Sequence, residues 1–260
     1  PIQYTGIVSE HKSVRERVGI FDVSHMGQIF ISGDEASSFL SYVTTWDISK
    51  LADGDCRYCH ILNDDGNIID DTIVYTFDKK SFMLVPNASM ISKVFNWLLS
   101  KSKNFSVKVD DKSEDYFCIA VQGPESLRLL RQYLNVSISP FKLTKLDDLI
   151  ISGTGYTGEK GYEIIGPLSE CLTVWQSFLD MGAIPIGLGA RDTLRLEKGY
   201  LLSGTDFNGS QTTLESGYSW VIDWKHDFIG KEKLVSQKES DYASLSGILP
   251  VSYTHLTLPT

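Results

Sequence analysis

The sequence has 260 residues, of which 42% are hydrophobic and 22% are charged, as in ordinary globular proteins. Its formal net charge of -9 would repel nucleic-acid phosphates and anionic lipid head groups, so neither a nucleic acid nor a membrane is expected as a partner. No run approaches the roughly 20 apolar residues that span a bilayer, and no export signal opens the chain, which predicts a cytoplasmic protein.

Strand patterns come first along the chain. Segments 27–33 and 71–77 alternate in polarity and are rich in β-branched residues, and residues 82–86 follow after a short turn. The polar run NDDGN at 63–67 has the Asp, Asn and Gly chemistry of a turn that would join a strand near Tyr58 to the strand at 71–77. These segments predict three antiparallel strands.

Three later segments have apolar residues at helical spacing. The first follows Asn87 or Ser89 as a possible N-cap, the second begins at Pro124, and the third spans about 169–181. Strands separated by helices, without a strict βαβ rhythm, predict an α+β fold with antiparallel sheets. The residues predicted to be buried are Ile91, Val94, Phe95, Leu98 and Leu99 in the first helix, Leu127, Leu130 and Leu134 in the second, and Leu172, Trp175, Phe178 and Leu179 in the third.

Cys56 and Cys59 form a CxxC motif, followed directly by His60. A second CxxC or a histidine cluster would be needed to complete a tetrahedral zinc site, and residues three apart on a strand point to opposite faces. Buried structural thiols are therefore favoured over a metal or redox pair, and no metal site is predicted.

Asp70 and Asp71 are adjacent on a predicted strand among isoleucines and β-branched residues. Because successive strand side chains point to opposite faces, only one of the two carboxylates can face a given cavity. A carboxylate in apolar surroundings is costly to desolvate, which is typical of functional sites. The alternative is that one aspartate is exposed to solvent and the other caps a neighbouring turn.

Residues 153–167 contain five glycines, and this density permits either a tight hairpin or the close approach of a flat ligand to the backbone. A phosphate loop is excluded, because no helix opens there with a lysine and a hydroxyl residue. Further on, Arg191 and Arg195 would lie on one helix face. Intrahelical salt bridges could explain both arginines, but an arginine at a helix start behind glycines can also direct its planar fork into a cleft.

The sequence resembles the glycine cleavage T-proteins, a family of folate-dependent aminomethyltransferases, over roughly residues 1–235. Five motifs occur in the order and approximate separation seen in that family, which is far more specific than any one of them alone. They are GIFDVSHMGQIFISG from 19, NDDGNIIDDTIVY from 63, IAVQGP from 119, GYTGEKGYEI from 155 and GLGARDTLRLEKGYLLSGTD from 187.

The resemblance implies a fold of interleaved antiparallel-sheet subdomains with flanking helices. It also implies a reaction in which an aminomethyl group on the lipoyl arm of H-protein passes to tetrahydrofolate, the co-substrate, with release of ammonia. Neither a metal nor a flavin is required. A eukaryotic member would lie in the mitochondrial matrix.

The family's reactive carboxylate corresponds to Asp71, where a fixed charge can orient the folate, accept a proton and offset developing positive charge. Glu163 and Arg191 resemble the polar groups that hold the pterin ring. His25 is left open between holding a loop and meeting substrate. The remaining predicted cavity residues are Met26, Tyr58, Tyr75 and Tyr156, of which the tyrosines would form aromatic walls.

By the same resemblance, residues 1–240 form the folate-binding region, built from two interleaved subdomains, and residues 241–250 begin a C-terminal barrel domain that is largely missing. The chain begins at Pro1 without a methionine, and residues 251–260 lack any clear period. We therefore expect truncation at both ends and a non-native tail at 251–260.

Two alternative functions share the folate-binding fold. One is the folate domain of a dimethylglycine or sarcosine dehydrogenase, but no dinucleotide glycine fingerprint is visible in this sequence. The other is a non-catalytic folate-binding protein of iron-sulfur assembly. Retention of IIDD at 68–71 argues against that class, which commonly loses the aspartate pattern.

Overall fold

The computed structural model describes residues 1–247, which form eleven strands and seven α-helices. The helices are α1 (Ile7–Glu16), α2 (Ala36–Val43), α3 (Ile91–Lys101), α4 (Ser126–Leu134), α5 (Cys171–Asp180), α6 (Leu188–Glu197) and α7 (Lys231–Lys238). The strands are β1 (Gly19–Asp22), β2 (Ile29–Ser32), β3 (Cys56–Leu62), β4 (Ile68–Asp78), β5 (Ser81–Pro86), β6 (Lys108–Asp111), β7 (Tyr116–Gln122), β8 (Leu143–Leu146), β9 (Leu149–Ser152), β10 (Gly161–Pro167) and β11 (Ile184–Pro185).

The strands form two sheets that alternate along the chain. One sheet has the order β11-β1-β7-β10-β9-β8, and the other has the order β3-β4-β5-β2-β6. Every pairing described is antiparallel except the parallel contact between β1 and β11. The chain enters the first sheet at β1, builds the whole second sheet, and then returns to the first at β7. The predicted α+β class with interleaved antiparallel sheets is confirmed.

The predicted run of three antiparallel strands is also confirmed, as β3, β4 and β5. Asn63 holds the turn between β3 and β4, because its side-chain oxygen accepts hydrogen bonds from the backbone N–H groups of Asp65 and Asn67. Gly66 takes the left-handed conformation at φ 82° that this turn requires. The sequence NDDGN therefore fixes where β4, the strand that carries both aspartates, begins.

All three predicted helices exist, as α3, α4 and α5, but the prediction of their buried faces was only partly right. Leu172 was predicted to be buried in α5 and is 80% exposed, because the buried face of this helix is set by Val174 and Phe178. Two positions separated by one residue lie about 200° apart around a helix, so burying Val174 turns Leu172 outward. In α3, Leu99 was also predicted to be buried and is exposed. In α4, Leu129 is buried although the sequence did not predict it.

The two sheets pack against each other through a shared hydrophobic cluster, which brings their functional side chains together. Phe21 and Cys118 come from the first sheet, and Tyr75 and Met83 come from the second. Buried residues of α1 and α6 join the same cluster. The helix that carries Arg191 is thereby packed beside the strands that carry Asp71 and Glu163.

Glu10 is a fully buried carboxylate of α1 that ties the N-terminal segment to the start of α6. Its Oε1 accepts hydrogen bonds from the backbone N–H groups of Tyr4, Thr5 and Gly6, and its Oε2 accepts one from Gly187 at 2.7 Å. Burial alone would raise the pKa of Glu10, but these four donors outweigh burial and lower it below the usual value.

We expect the substitution Glu10→Gln to lower the free energy of unfolding by about 2 kcal/mol at neutral pH, because an amide satisfies these donors poorly. A lowered folded-state pKa means that the stabilisation is present above the unfolded-state pKa and is lost as pH falls through the folded-state value. Urea unfolding at about pH 7 and about pH 3 tests this. An equal difference between wild type and variant at both pH values would contradict it.

Residues 241–247 form neither helix nor strand. The rest of the predicted barrel segment at 241–250, and all of the predicted tail at 251–260, lie outside the described residues, so both assignments stay predictions. Within the part that the structure describes, no helix is long and apolar enough to cross a membrane.

Candidate active site

A cavity of about 350 Å³ is lined by residues of both sheets and of α6. This volume lies in the range of small-molecule sites. All seven residues predicted from the sequence line it, namely Met26, Tyr58, Asp71, Tyr75, Tyr156, Glu163 and Arg191. The other lining residues were not predicted as site residues from the sequence; they are Thr72, Ile73, Val85, Asn87, Cys118, Phe141, Gly155, Tyr200, Leu201, Tyr218 and Trp220.

Asp71 is the carboxylate that β4 presents to this cavity, whereas Asp70 does not line it. The prediction that only one of the two carboxylates can face a given cavity is therefore confirmed. The alternative of one solvent-exposed aspartate is wrong, since Asp70 is 0% and Asp71 is 9% exposed. Two adjacent carboxylates are thus held inside the protein.

Two neighbours hold the Asp71 carboxylate. The Tyr58 hydroxyl on β3 donates a hydrogen bond to Oδ2 at 2.8 Å, and the Asn87 amide donates one to Oδ1 at 2.6 Å. Burial raises the pKa of Asp71, while these hydrogen bonds and the charge of Arg191 oppose the rise. The carboxylate is therefore fixed in orientation, and burial makes it more basic than an ordinary aspartate.

Asn87 and Ser89 were the two N-cap candidates from the sequence; Asn87 does occupy the N-cap position of the 3-10 turn that leads into α3, and the prediction is wrong for Ser89. Asn87 begins a short 3-10 turn but makes no capping hydrogen bond, and Ser89 lies inside that turn. The amide of Asn87 binds the two buried aspartates instead. In the pairing of β4 with β5, Thr72 lies opposite Pro86. Asn87 directly follows Pro86 and therefore lies beside Asp70 and Asp71.

Glu163 on β10 faces the cavity with one oxygen already bound. Its Oε2 accepts hydrogen bonds from the hydroxyl groups of Tyr75, at 3.1 Å, and Thr154. Within residues 1–247, its Oε1 accepts no hydrogen bond and is available to a ligand. Tyr75 is fully buried, and burial raises its pKa well above the usual value, so it serves as a neutral donor here.

Arg191 and Arg195 on α6 have different roles, although they are one helical turn apart. Arg195 forms a salt bridge with Asp192 at 2.8 Å, as the intrahelical interpretation predicted, and a second one with Asp206, which lies after the helix, at 2.6 Å. The Arg191 guanidinium lies 4.3 Å from the ring centroid of Tyr156 and lines the cavity. It has no hydrogen-bond or ion-pair partner among the described side chains, so its fork can bind an acceptor.

The first part of the glycine-rich segment, residues 153–160, connects the antiparallel strands β9 and β10, so the hairpin interpretation is confirmed, although this loop is longer than a tight turn. A Cβ at Gly155 would lie 2.0 Å from the side chain of the buried Gln122, and Gly158 takes a left-handed φ of 75°. Gly155 also lines the cavity. The glycines therefore let this loop pack tightly on Gln122 while it forms one wall of the site.

Aromatic rings that the sequence analysis missed complete the cavity. The Tyr58 ring stacks on Trp220, with centroids 5.7 Å apart, and Tyr218 meets Trp220 at 5.5 Å. Tyr156 stacks on Tyr200 at 5.9 Å. Trp220 is 56% exposed, which leaves part of its ring in contact with solvent. Flat ligands gain buried area and stacking from such walls.

His60 and the two cysteines of the CxxC motif have structural surroundings. His25 is exposed and does not line the cavity, whereas His60 is fully buried, and burial lowers its pKa to about 3. Cys56 belongs to the cluster between the sheets, and Cys59 belongs to the cluster that packs under α2. The prediction that these two thiols point to opposite faces is confirmed.

Comparison with known proteins adds independent information. The family model described as the GCVT N-terminal domain matches residues 1–226. The chain is 43% identical to an aminomethyltransferase from Pseudothermotoga lettingae, over 92% of this chain and 69% of the relative. An aminomethyltransferase from Staphylococcus carnosus is 42% identical, over 94% of this chain and 70% of the relative.

A solved structure gives the same result for the fold. The glycine cleavage system aminomethyltransferase T from Bartonella henselae superposes with a TM-score of 0.87 at 32% identity. The match covers 92% of this chain and 68% of that one.

Proposed function

The chain belongs to the glycine cleavage T-protein family of aminomethyltransferases, and on that basis we propose that the cavity around Asp71 is its active site. The enzyme transfers the aminomethyl carbon from the lipoyl arm of H-protein to tetrahydrofolate and releases ammonia. The carbon loses its bonds to sulfur and to the amine nitrogen and gains bonds to two folate nitrogens. Of the two protons displaced from those nitrogens, one ends on the lipoyl sulfur, which becomes a thiol, and the other on the amine, which leaves as ammonia.

The cavity contains complementary groups for a reduced pterin. The edge of such a ring carries amino and amide groups, so a free carboxylate oxygen of Glu163 suits its donors and the fork of Arg191 suits its acceptors. Tyr156, which stacks under Arg191, and Tyr75, which holds Glu163, keep both groups in place. Met26 and the remaining rings supply apolar contact.

Asp71 is assigned to the reacting centre. Its charge can orient a folate N–H, accept the proton that leaves, and stabilise positive charge on the carbon as the bond to sulfur breaks. Hydrogen bonds from Tyr58 and Asn87 hold the carboxylate before substrate arrives, so little reorganisation is needed. The observation that carries this proposal is that Asp71, Glu163 and Arg191 line one cavity.

The proposed partners are tetrahydrofolate and lipoylated H-protein, and the chemistry requires neither a metal nor a flavin. Relatives that are 38–43% identical over about nine tenths of this chain carry the name aminomethyltransferase, which favours this function over a flavin-fused dehydrogenase. The predicted cytoplasmic location is part of the same proposal.

The test is to titrate the protein with tetrahydrofolate by calorimetry and then to measure ammonia release from aminomethylated H-protein. We expect saturable folate binding and ammonia release that requires both substrates. Binding without ammonia release would instead support a non-catalytic folate-binding protein. Release that required an added electron acceptor would support the dehydrogenase class.

A further inference from the structure

Asp70 is a buried carboxylate that binds chiefly to Asn87, with the Ser203 side chain as a further hydrogen-bond donor, although it does not line the cavity. Its Oδ2 accepts a hydrogen bond from the backbone N–H of Asn87 at 2.9 Å. Its Oδ1 accepts one from the amide Nδ2 of Asn87, also at 2.9 Å. Both oxygens of Asp70 therefore bind the same residue.

The same amide nitrogen also reaches Asp71. Nδ2 of Asn87 donates to Oδ1 of Asp71 at 2.6 Å, with the carbonyl oxygen of Asp71 a further 3.3 Å contact. An amide nitrogen carries two hydrogens, so one serves each carboxylate. The amide oxygen of Asn87 is an acceptor and cannot bind either carboxylate. The two carboxylates together therefore require that the NH2 group of the amide, and not its oxygen, faces them.

We propose that Asp70 is a positioning residue for the transfer reaction: by accepting hydrogen bonds from the backbone N–H and from the side-chain amide of Asn87, it fixes the amide that holds the carboxylate of Asp71 at the cavity. The inference rests on the function proposed for Asp71. Asp70 acts through Asn87 and does not touch substrate. Its burial as a carboxylate is costly, and the cost is offset by the two N–H groups that it orders.

Asp70 and Asp71 are the groups in this region whose protonation is expected to change as the pH is lowered. Burial, followed by the charge of Asp71, raises the pKa of Asp70, and burial raises that of Asp71. Burial keeps the tyrosine and histidine side chains around them neutral, and the arginine stays charged. The charged and titratable groups around Asp71 are Asp70 on β4, Tyr58, Cys59 and His60 on β3, Tyr156 in the loop before β10, Arg191 on α6 and Tyr218 in the segment after α6.

The first test is the isosteric substitution Asp70→Asn. An asparagine at position 70 has one acceptor oxygen and turns an N–H group towards the donors of Asn87, so the bridging amide loses its fixed orientation. We expect kcat for ammonia release to fall about tenfold or more, while the tetrahydrofolate Kd stays within about threefold. Wild-type kcat in this variant would overturn the inference.

The second test is Asn87→Ala, alone and combined with Asp70→Asn. In the single variant, kcat should fall by a similar factor. The acid limb of its pH–rate profile, where activity falls as pH drops, should move to higher pH, because Asp71 loses a hydrogen-bond donor that favours its ionised form. If Asp70 acts only through Asn87, the double variant should be no slower than Asn87→Ala within about twofold. Losses that multiply in the double variant would overturn the inference.

Glu10→Gln is the matched control, since it makes the same carboxylate-to-amide change at a buried residue away from the cavity. It should lower the unfolding temperature but leave kcat and the acid limb as in wild type. If Asp70→Asn does not fold, the Asn87→Ala variant serves as the test in its place. Unchanged kcat in Asn87→Ala then overturns the inference. An active Asp71→Asn variant would instead refute the proposed function itself.

Discussion

Replacing Asp71 with asparagine is expected to lower kcat for ammonia release at least about a hundredfold, with tetrahydrofolate affinity roughly intact. The amide keeps the shape of the side chain, so contacts with a bound ring are largely preserved. It carries no charge to stabilise the positive carbon, and it cannot accept the departing proton. The measurement is the steady-state rate with aminomethylated H-protein, together with calorimetric folate binding.

The pH profile of the wild-type enzyme belongs to the same prediction. Because burial raises the pKa of Asp71 and the reaction needs its ionised form, activity should fall as pH drops through a value above that of an ordinary aspartate. Asp34→Asn is a suitable control, since Asp34 is 75% exposed in a surface pair with Lys80. Equal kcat in wild type and Asp71→Asn would remove Asp71 from the mechanism.

Replacing Arg191 with alanine is expected to weaken tetrahydrofolate binding by about 2 kcal/mol, or roughly thirtyfold in Kd. The guanidinium is desolvated and stacks on Tyr156. No described side chain forms a hydrogen bond or salt bridge with it, so its N–H groups are available to the ligand. Its loss also leaves the matching edge of the ligand unpaired. Calorimetric titration of wild type and variant measures the difference directly.

Two further variants sharpen the test of Arg191. Arg191→Lys keeps a positive charge but loses the planar fork, so its affinity should fall between those of wild type and Arg191→Ala. Arg128→Ala removes an arginine that is 56% exposed on α4 in a surface pair with Glu125, and it should leave folate binding unchanged. Unchanged affinity in Arg191→Ala would show that the pterin is held elsewhere.

Different parts of the site were predictable to different degrees. The turn at 63–67 and the alternation along β4 predicted a strand on which only one of Asp70 and Asp71 faces a cavity, because strand geometry is local. Assigning Asp71, Glu163 and Arg191 to one site required the family resemblance. Spacing alone left structural explanations open for Asp71 and Arg191, and it did not mark Glu163.

The residues that the sequence analysis missed act across long separations. Asn87 binds carboxylates 16 and 17 residues away, through the register of β4 with β5, and its position before a helix resembled that of an N-cap. Tyr218 and Trp220 lie in a segment with little regular structure, so no periodicity marks them. Their place beside Tyr58 is decided by the path of the chain after α6.

The sequence by itself determined the kinds and approximate positions of part of the elements, namely β2 to β5 and α3 to α5, because hydrophobic period, turn chemistry and β-branching act over a few residues. Only the tertiary structure decided which helix faces are buried, as the exposure of Leu172 illustrates. It also decided that both aspartates are buried and share one amide, and that Arg191 remains available while Arg195 is paired. These outcomes depend on which distant side chains meet, and that is set by sheet register and packing.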